Sequence, residues 1–255
     1  MAVDTDALGE RLFRAYTEAT PLDPETLPSE LTVEDGYATQ DAFLRHRSGD
    51  EGAPVGYKVG FTSDAVQSDL GVDAPAYGRV LADTVRENRR FETDQLIEPR
   101  IEPEIAFLLG EDLSPPVRRH EVVAATELVV PVVEVVDSRI RDWDVTAATA
   151  IADNALAARL LVGDQTTGGD VDLTREGVEV LIDGKRRATG TGAAVLGHPA
   201  DAVAWLAEKL PDHGNTLQAG DLVSTGSITE PIPVEAGETV VARFGSLGSV
   251  VAHAE

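Results

Sequence analysis

Cysteine is absent from this 255-residue chain, which removes disulfides, thiolate metal sites and cysteine nucleophiles together. Any metal must then be held by oxygen or imidazole. Long apolar runs are missing as well: no window approaches 18 uninterrupted apolar residues, so no membrane-spanning helix is expected. The opening stretch MAVDTDALGE has neither a basic start nor an apolar centre, and the expected location is the cytoplasm. Positive charge is scarce. Asp and Glu number 45 against 21 Lys and Arg, a formal charge of −24, which repels nucleic acid and anionic lipid, so neither is an expected partner. Lysine is nearly discarded, occurring only as Lys58, Lys185 and Lys209. With acidic residues spread along the whole chain, this is the surface expected of a protein working in molar salt, where screening removes most of the self-repulsion. His46, His120, His198, His213 and His253 show no metal-ligand spacing, and there is no Gly-x-Ser-x-Gly or phosphate-binding glycine loop. These absences count against serine hydrolase, zinc protease and nucleotide-binding functions.

What is present is enough aliphatic residue to build a sizeable core. Residues 7–16 space their apolar side chains by three and four, and Thr32 followed by Asp35 is a helix start for the stretch ending at His46. Residues 1–50 therefore read as a helical N-terminal segment. From Pro54 onward the pattern changes to short apolar runs broken by Gly, Pro and Asp, so residues 51–255 read as a β-rich catalytic domain. Asp183-Gly184 between two strand-like runs predicts a hairpin, and residues 199–210 predict a helix with Ala202, Trp205, Leu206 and Leu210 on one side. The fold class that follows is α+β.

The chemistry-bearing residues fall within these runs. If residues 100–107 form a strand, Glu102 and Glu104 share one face while Ile101, Ile105 and Phe107 share the other. Two neighbouring carboxylates repel unless a cation or a shared proton sits between them. Glu134 interrupts the apolar run 129–136, and a lone ionised Glu in such a buried strand needs a partner. Three carboxylates without a thiolate suit a hard divalent ion, Mg²⁺ or Mn²⁺, which keeps positions open for water and substrate oxygens. Lys58 lies in the apolar, glycine-rich run GYKVGF; beside an anionic metal site it makes sense as a proton carrier or carboxylate anchor. The run GDLVSTGS at 220–227 ends a strand in small residues whose N–H groups and hydroxyls could hold an oxyanion.

Taken together, GYKVGFTS at 56–63, PRIEPEIAFLLG at 99–110, VVPVVEVVDSRIRDW at 129–143, ADNA at 152–155, GAAVLGHP at 192–199, LQAGDLVSTGS at 217–227 and FGSLGSVVA at 244–252 resemble the 2-keto-4-pentenoate hydratase and 4-oxalocrotonate decarboxylase family. These blocks keep the family's order and span nearly the whole chain after residue 50. The resemblance extends to the fumarylacetoacetate hydrolase superfamily and implies a mixed, rolled β-sheet fold of that type behind the helical segment. It implies a divalent metal held by Glu102, Glu104 and Glu134, with Lys58 as an active-site residue. It also implies homo-oligomeric assembly, with a complex with a related subunit as the other form.

The activity implied is hydration of 2-hydroxypenta-2,4-dienoate to 4-hydroxy-2-oxopentanoate in aromatic degradation through meta-cleavage. Thr225, Gly226 and Ser227 would contact the carboxylate end of this small enolic acid. The rivals are decarboxylation of 4-oxalocrotonate, hydrolytic C–C cleavage of an acylpyruvate, and a non-catalytic subunit of such a complex. Two departures bear on the choice. Hydratase members usually carry an Asp where this chain has Ala76, and the usual serines after Asp-Asn-Ala are Leu156 and Ala157 here. The stretch SRIRDWDV at 138–145, by contrast, looks like the hydratases.

Overall fold

The structure, a computed structural model, describes residues 3–255 apart from 88, 165, 169 and 170. The chain opens with two helices, α1 (Thr5–Thr17) and α2 (Val33–Glu51). Asp4 caps the first by accepting from the Ala7 N–H at 3.0 Å, and Thr32 with Asp35 forms a reciprocal capping box on the second, as the Thr-x-x-Asp spacing predicts. The second helix continues past His46 to Glu51, and the change to strand falls before Pro54. Leu8 and Leu12 of α1 pack against Phe43 of α2 and Ala152 further along the chain.

Thereafter come β1 (Pro54–Gly60), α3 (Asp64–Leu70), β2 (Ala76–Leu81), β3 (Val85–Arg86), β4 (Arg90–Phe91), β5 (Arg100–Leu109), α4 (Arg119–Ala125) and β6 (Thr126–Val136). They are followed by α5 (Ala147–Ala152), β7 (Ala157–Val162), β8 (Gly177–Ile182), β9 (Lys185–Thr191), α6 (Pro199–Lys209), β10 (Leu222–Ser224), β11 (Ile232–Pro233), β12 (Thr239–Phe244) and β13 (Ser249–Ala254). The predicted Asp183-Gly184 hairpin joins β8 to β9, both residues with positive φ, the conformation whose twist suits a two-residue hairpin.

Two sheets result. The larger has the order β2-β1-β10-β5-β6-β7-β3, with β11 on the free part of β5. It is mixed, β1 running parallel to β10 and β3 parallel to β7, and it curls into a half-barrel. The smaller has the order β4-β13-β12-β8-β9. The fold is thus the mixed helix-and-strand, rolled-sheet architecture expected from the sequence.

The larger sheet's two faces divide the labour. Ile101, Ile105 and Phe107 of β5, Val133 and Val135 of β6, and Val59 of β1 join the main core, to which α6 contributes Ala202, Val203 and Leu206. The opposite face is apolar at one end, where Ala106, Val130, Val132 and Leu160 cluster, and carries Glu102, Glu104 and Glu134 at the other. Two-residue periodicity makes this division possible, because shifting either strand by one position would exchange the faces. Among the described residues no helix is long and apolar enough to cross a membrane.

Candidate metal centre and active-site cavity

β5 and β6 are antiparallel, and their register sets Glu102 directly opposite Glu134. Glu104 follows two residues along the same face of β5. One carboxylate oxygen from each of the three lies within 4.8 Å of the others. Next to β5 runs β10, whose Ser224 is opposite Ala106 and donates its hydroxyl to Glu104 Oε2 at 2.5 Å. The Gly226 N–H donates to the same oxygen at 2.9 Å. Gly226 has a φ of +104°, and a Cβ there would come within 2.3 Å of Thr62 Oγ1, so only glycine can bring this N–H to the carboxylate. Glu104 Oε1 is buried without a hydrogen-bond partner. A buried carboxylate oxygen left bare costs free energy unless something fills its coordination. An all-oxygen set with one oxygen oriented and the other free fits a hard divalent cation.

Lys58 arrives from β1, where it pairs in register with Ser224. Its Nζ lies 3.1 Å from Glu134 Oε2 and donates to the Ala155 carbonyl at 2.9 Å. That carbonyl is aimed by an unusual turn: Asn154, Ala155 and Leu156 all have positive φ, between 48° and 65°, a conformation that non-glycine residues adopt only under external constraint. The constraint is Asn154, whose side chain accepts from the Arg79 N–H at 2.8 Å and donates to the Arg79 carbonyl at 2.9 Å. Further support comes from the buried Arg139–Asp153 pair, in which the guanidinium and the backbone N–H of Arg139 both bind the Asp153 carboxylate.

The charges in this cluster shift one another. Burial pushes Glu102 up to about 7, Lys58 opposing it and Glu104 adding to it. Glu134 is driven well above the usual carboxylate range by burial, again against Lys58. Glu104 is raised by burial, with Lys58, Ser224 and the Gly226 N–H pulling the other way. For Lys58, burial alone would favour the neutral amine, but Glu134, Glu102 and Glu104 outweigh it and hold the group above its ordinary value.

Beside the cluster opens a cavity of about 570 Å³, onto which Lys58, Glu102 and Ser227 face, with Phe61, Val136, Leu156 and Ile228 supplying apolar wall. The structure thus brings together Lys58 and the three glutamates singled out in the sequence. Thr225, Gly226 and Ser227 separate. Thr225 is buried and gives its hydroxyl to the Ile105 carbonyl at 2.7 Å, Gly226 serves Glu104, and Ser227 alone of the three lines the cavity. Its hydroxyl donates to the Thr229 carbonyl at 2.6 Å. Sequence reasoning included Ser224 only within the run of small residues at 220–227 and missed the Ala155 carbonyl. It also missed Arg100, although that residue shares a strand face with Glu102 by the same two-residue count. Ala76 is a buried core residue, and Leu156 is part of the cavity wall.

The chain is similar to known proteins in sequence and in fold. The family described as "Fumarylacetoacetate (FAA) hydrolase C-terminal" matches residues 75–254. The chain is 39% identical to the 2-hydroxyhexa-2,4-dienoate hydratase of Comamonas testosteroni over 236 residues, covering 90% of this chain and 89% of that protein. It is 40% identical to the 2-keto-4-pentenoate hydratase of Burkholderia vietnamiensis over 201 residues, covering 77% and 76%. Among solved structures, the 4-oxalocrotonate decarboxylase of Pseudomonas putida G7, complexed with magnesium and adipate, superposes with a TM-score of 0.93. It is 34% identical, over 98% of this chain and 97% of that one.

Proposed function

The chain belongs to the fumarylacetoacetate hydrolase family, and from that premise we propose that it is a divalent-metal-dependent hydratase, a lyase. It converts 2-hydroxypenta-2,4-dienoate to 4-hydroxy-2-oxopentanoate in degradation of aromatic compounds through meta-cleavage. The observation that carries the reading is the bare Glu104 Oε1 inside a buried three-carboxylate cluster that opens, through Glu102 and Lys58, onto a cavity with apolar walls. The names of the hydratase relatives support the same chemistry.

In this reading Glu102, Glu104 and Glu134 hold Mg²⁺ or Mn²⁺, as the magnesium in the superposed decarboxylase supports for a divalent ion. When bound, such an ion supplies electrophilic stabilisation of the charge that builds on the C2 oxygen as the dienol ketonises. Ser224 and the Gly226 N–H fix the orientation of Glu104 before any ligand arrives. Lys58, steered by the Ala155 carbonyl and Glu134, is the group placed to carry a proton to the substrate. Ser227 stands at the carboxylate end, and the wall of Phe61, Val136, Leu156 and Ile228 receives the hydrocarbon end.

One observation favours a second reading, decarboxylation of 4-oxalocrotonate: the apolar Leu156 stands on the cavity wall where the hydratase resemblance implies a polar side chain, and the superposed structure is a decarboxylase. Both reactions pass through a stabilised enolate and differ only at the distal carbons. Purified protein with Mg²⁺ is to be offered each substrate and the products identified by NMR. Hydration of the dienoate without CO₂ release from 4-oxalocrotonate is the expected result. Stoichiometric CO₂ with the dienoate left unhydrated would make the enzyme a decarboxylase.

A further inference from the structure

Two cationic side chains line the cavity among the described residues, Lys58 and Arg100. Their circumstances differ. The Lys58 ammonium is already committed to Glu134 and to the Ala155 carbonyl. The Arg100 side chain has no hydrogen bond or ion pair to the described protein residues. Its guanidinium lies 4.0 Å from the Trp143 ring centroid, and at longer range its charge favours the ionised form of Glu102. Stacking satisfies the flat face of a guanidinium and leaves its in-plane N–H fork unused, which is the edge that recognises a carboxylate bidentately.

The ring that carries the guanidinium is itself held at some cost. Asp142 and Trp143 both have positive φ, 58° and 57°, and the indole Nε1–H donates to the Glu98 carbonyl at 3.2 Å. Two left-handed non-glycine residues in succession persist only where the surroundings enforce them. What they achieve here is a fixed platform for a guanidinium two residues from Glu102, on the same face of β5.

Electrostatics give this fork a task. Three ionised glutamates, one dication and the Lys58 ammonium would together carry no net formal charge. Arg100 is the remaining positive charge on the cavity wall. Resting on the function proposed above, we infer that Arg100, held by Trp143, is the anchor for the carboxylate of the 2-oxo or enolic acid. Trp143 is the positioning residue for it.

The test uses the full chain loaded with Mn²⁺ and 2-oxopentanoate as a non-reacting probe, followed by calorimetry. Arg100→Met is expected to weaken 2-oxopentanoate binding about 10- to 100-fold and to raise KM for the dienoate correspondingly. It should change kcat by less than about fivefold and leave Mn²⁺ affinity at the wild-type value. Arg100→Lys, which keeps the charge but loses the planar fork, is expected to fall between the two and covers the case in which the methionine variant does not fold. Wild-type affinity for 2-oxopentanoate in both variants would overturn the inference, as would a parallel loss of Mn²⁺ binding, which would make Arg100 a support of the metal cluster. Wild-type protein that failed to bind 2-oxopentanoate at all would overturn the proposed function and this inference with it, a result distinct from either of the others.

Discussion

A lysine set among three glutamates is an arrangement that a metal-free protein can bury only by keeping protons on part of the carboxyl set. Glu102 is moved from 4.5 to about 7, and Glu104 and Glu134 move in the same direction. A carboxyl whose folded pKa is raised keeps its proton where the unfolded chain has lost it, so its contribution to stability falls as pH rises from the ordinary carboxylate range to about 7 and levels off above. A divalent ion reverses this by taking the proton's place. Mn²⁺ binding near pH 6 is therefore expected to release about one proton or more per ion, readable from calorimetry in buffers of different ionisation enthalpy. Binding heats that do not depend on the buffer would contradict the shared-proton picture. Lys58→Met removes the proton carrier while keeping the length of the side chain. Turnover is expected to drop by about 100-fold or more, with circular dichroism unchanged and Mn²⁺ affinity within about tenfold; near-normal turnover would take Lys58 out of the mechanism.

At the scale of the elements, strand register assembles the centre. The alternation of residues 100–107 puts Glu102 and Glu104 on one face, and the buried run around Glu134 demands a partner, so the ligand candidates are legible in the amino-acid pattern alone. The pairing of Glu102 with Glu134 across β5 and β6 is not, because register between strand positions 32 residues apart is fixed by tertiary packing rather than by local pattern. Ser224 illustrates the same limit: the run GDLVSTGS reads as an oxyanion holder, but that the anion its Ser224 and Gly226 donors hold is the protein's own Glu104 carboxylate, with Thr225 serving the Ile105 carbonyl, is set by tertiary packing. The turn at Asn154–Leu156 is visible only as a family block, since nothing in its composition announces three residues with positive φ. Its seat on β2 gives an element-scale prediction. A Cβ at Gly78 would lie 2.3 Å from the Asn154 carbonyl oxygen, so Gly78→Ala must push the turn away and carry the Ala155 carbonyl from Lys58. Urea denaturation should record a loss of about 1–3 kcal/mol, accompanied by lower kcat. Unchanged stability and rate would show that the turn is not held as described.

For the molecule as a whole, the dominant quantity is a net charge of −24. Ion pairs at the surface, such as Arg141–Asp23 and Lys209–Asp212, contribute little each in water, and the excess carboxylates oppose compaction unless salt screens them. The melting temperature is expected to rise by several degrees between dilute buffer and molar KCl, each kcal/mol being worth about 2–4 °C for a chain of this size. A melting temperature independent of salt would contradict the molar-salt reading of the surface. All of these expectations converge on one claim, that three glutamates hold the ion on which hydration depends. The most direct test strips the purified protein of metal and titrates Mn²⁺ back while following both binding and conversion of 2-hydroxypenta-2,4-dienoate, for the wild type and for Glu134→Ala. The account predicts that stripped wild-type protein is inactive and regains turnover as about one ion binds per chain, whereas Glu134→Ala neither binds with useful affinity nor turns over. Hydration by the metal-stripped protein, or wild-type Mn²⁺ affinity in Glu134→Ala, would contradict it.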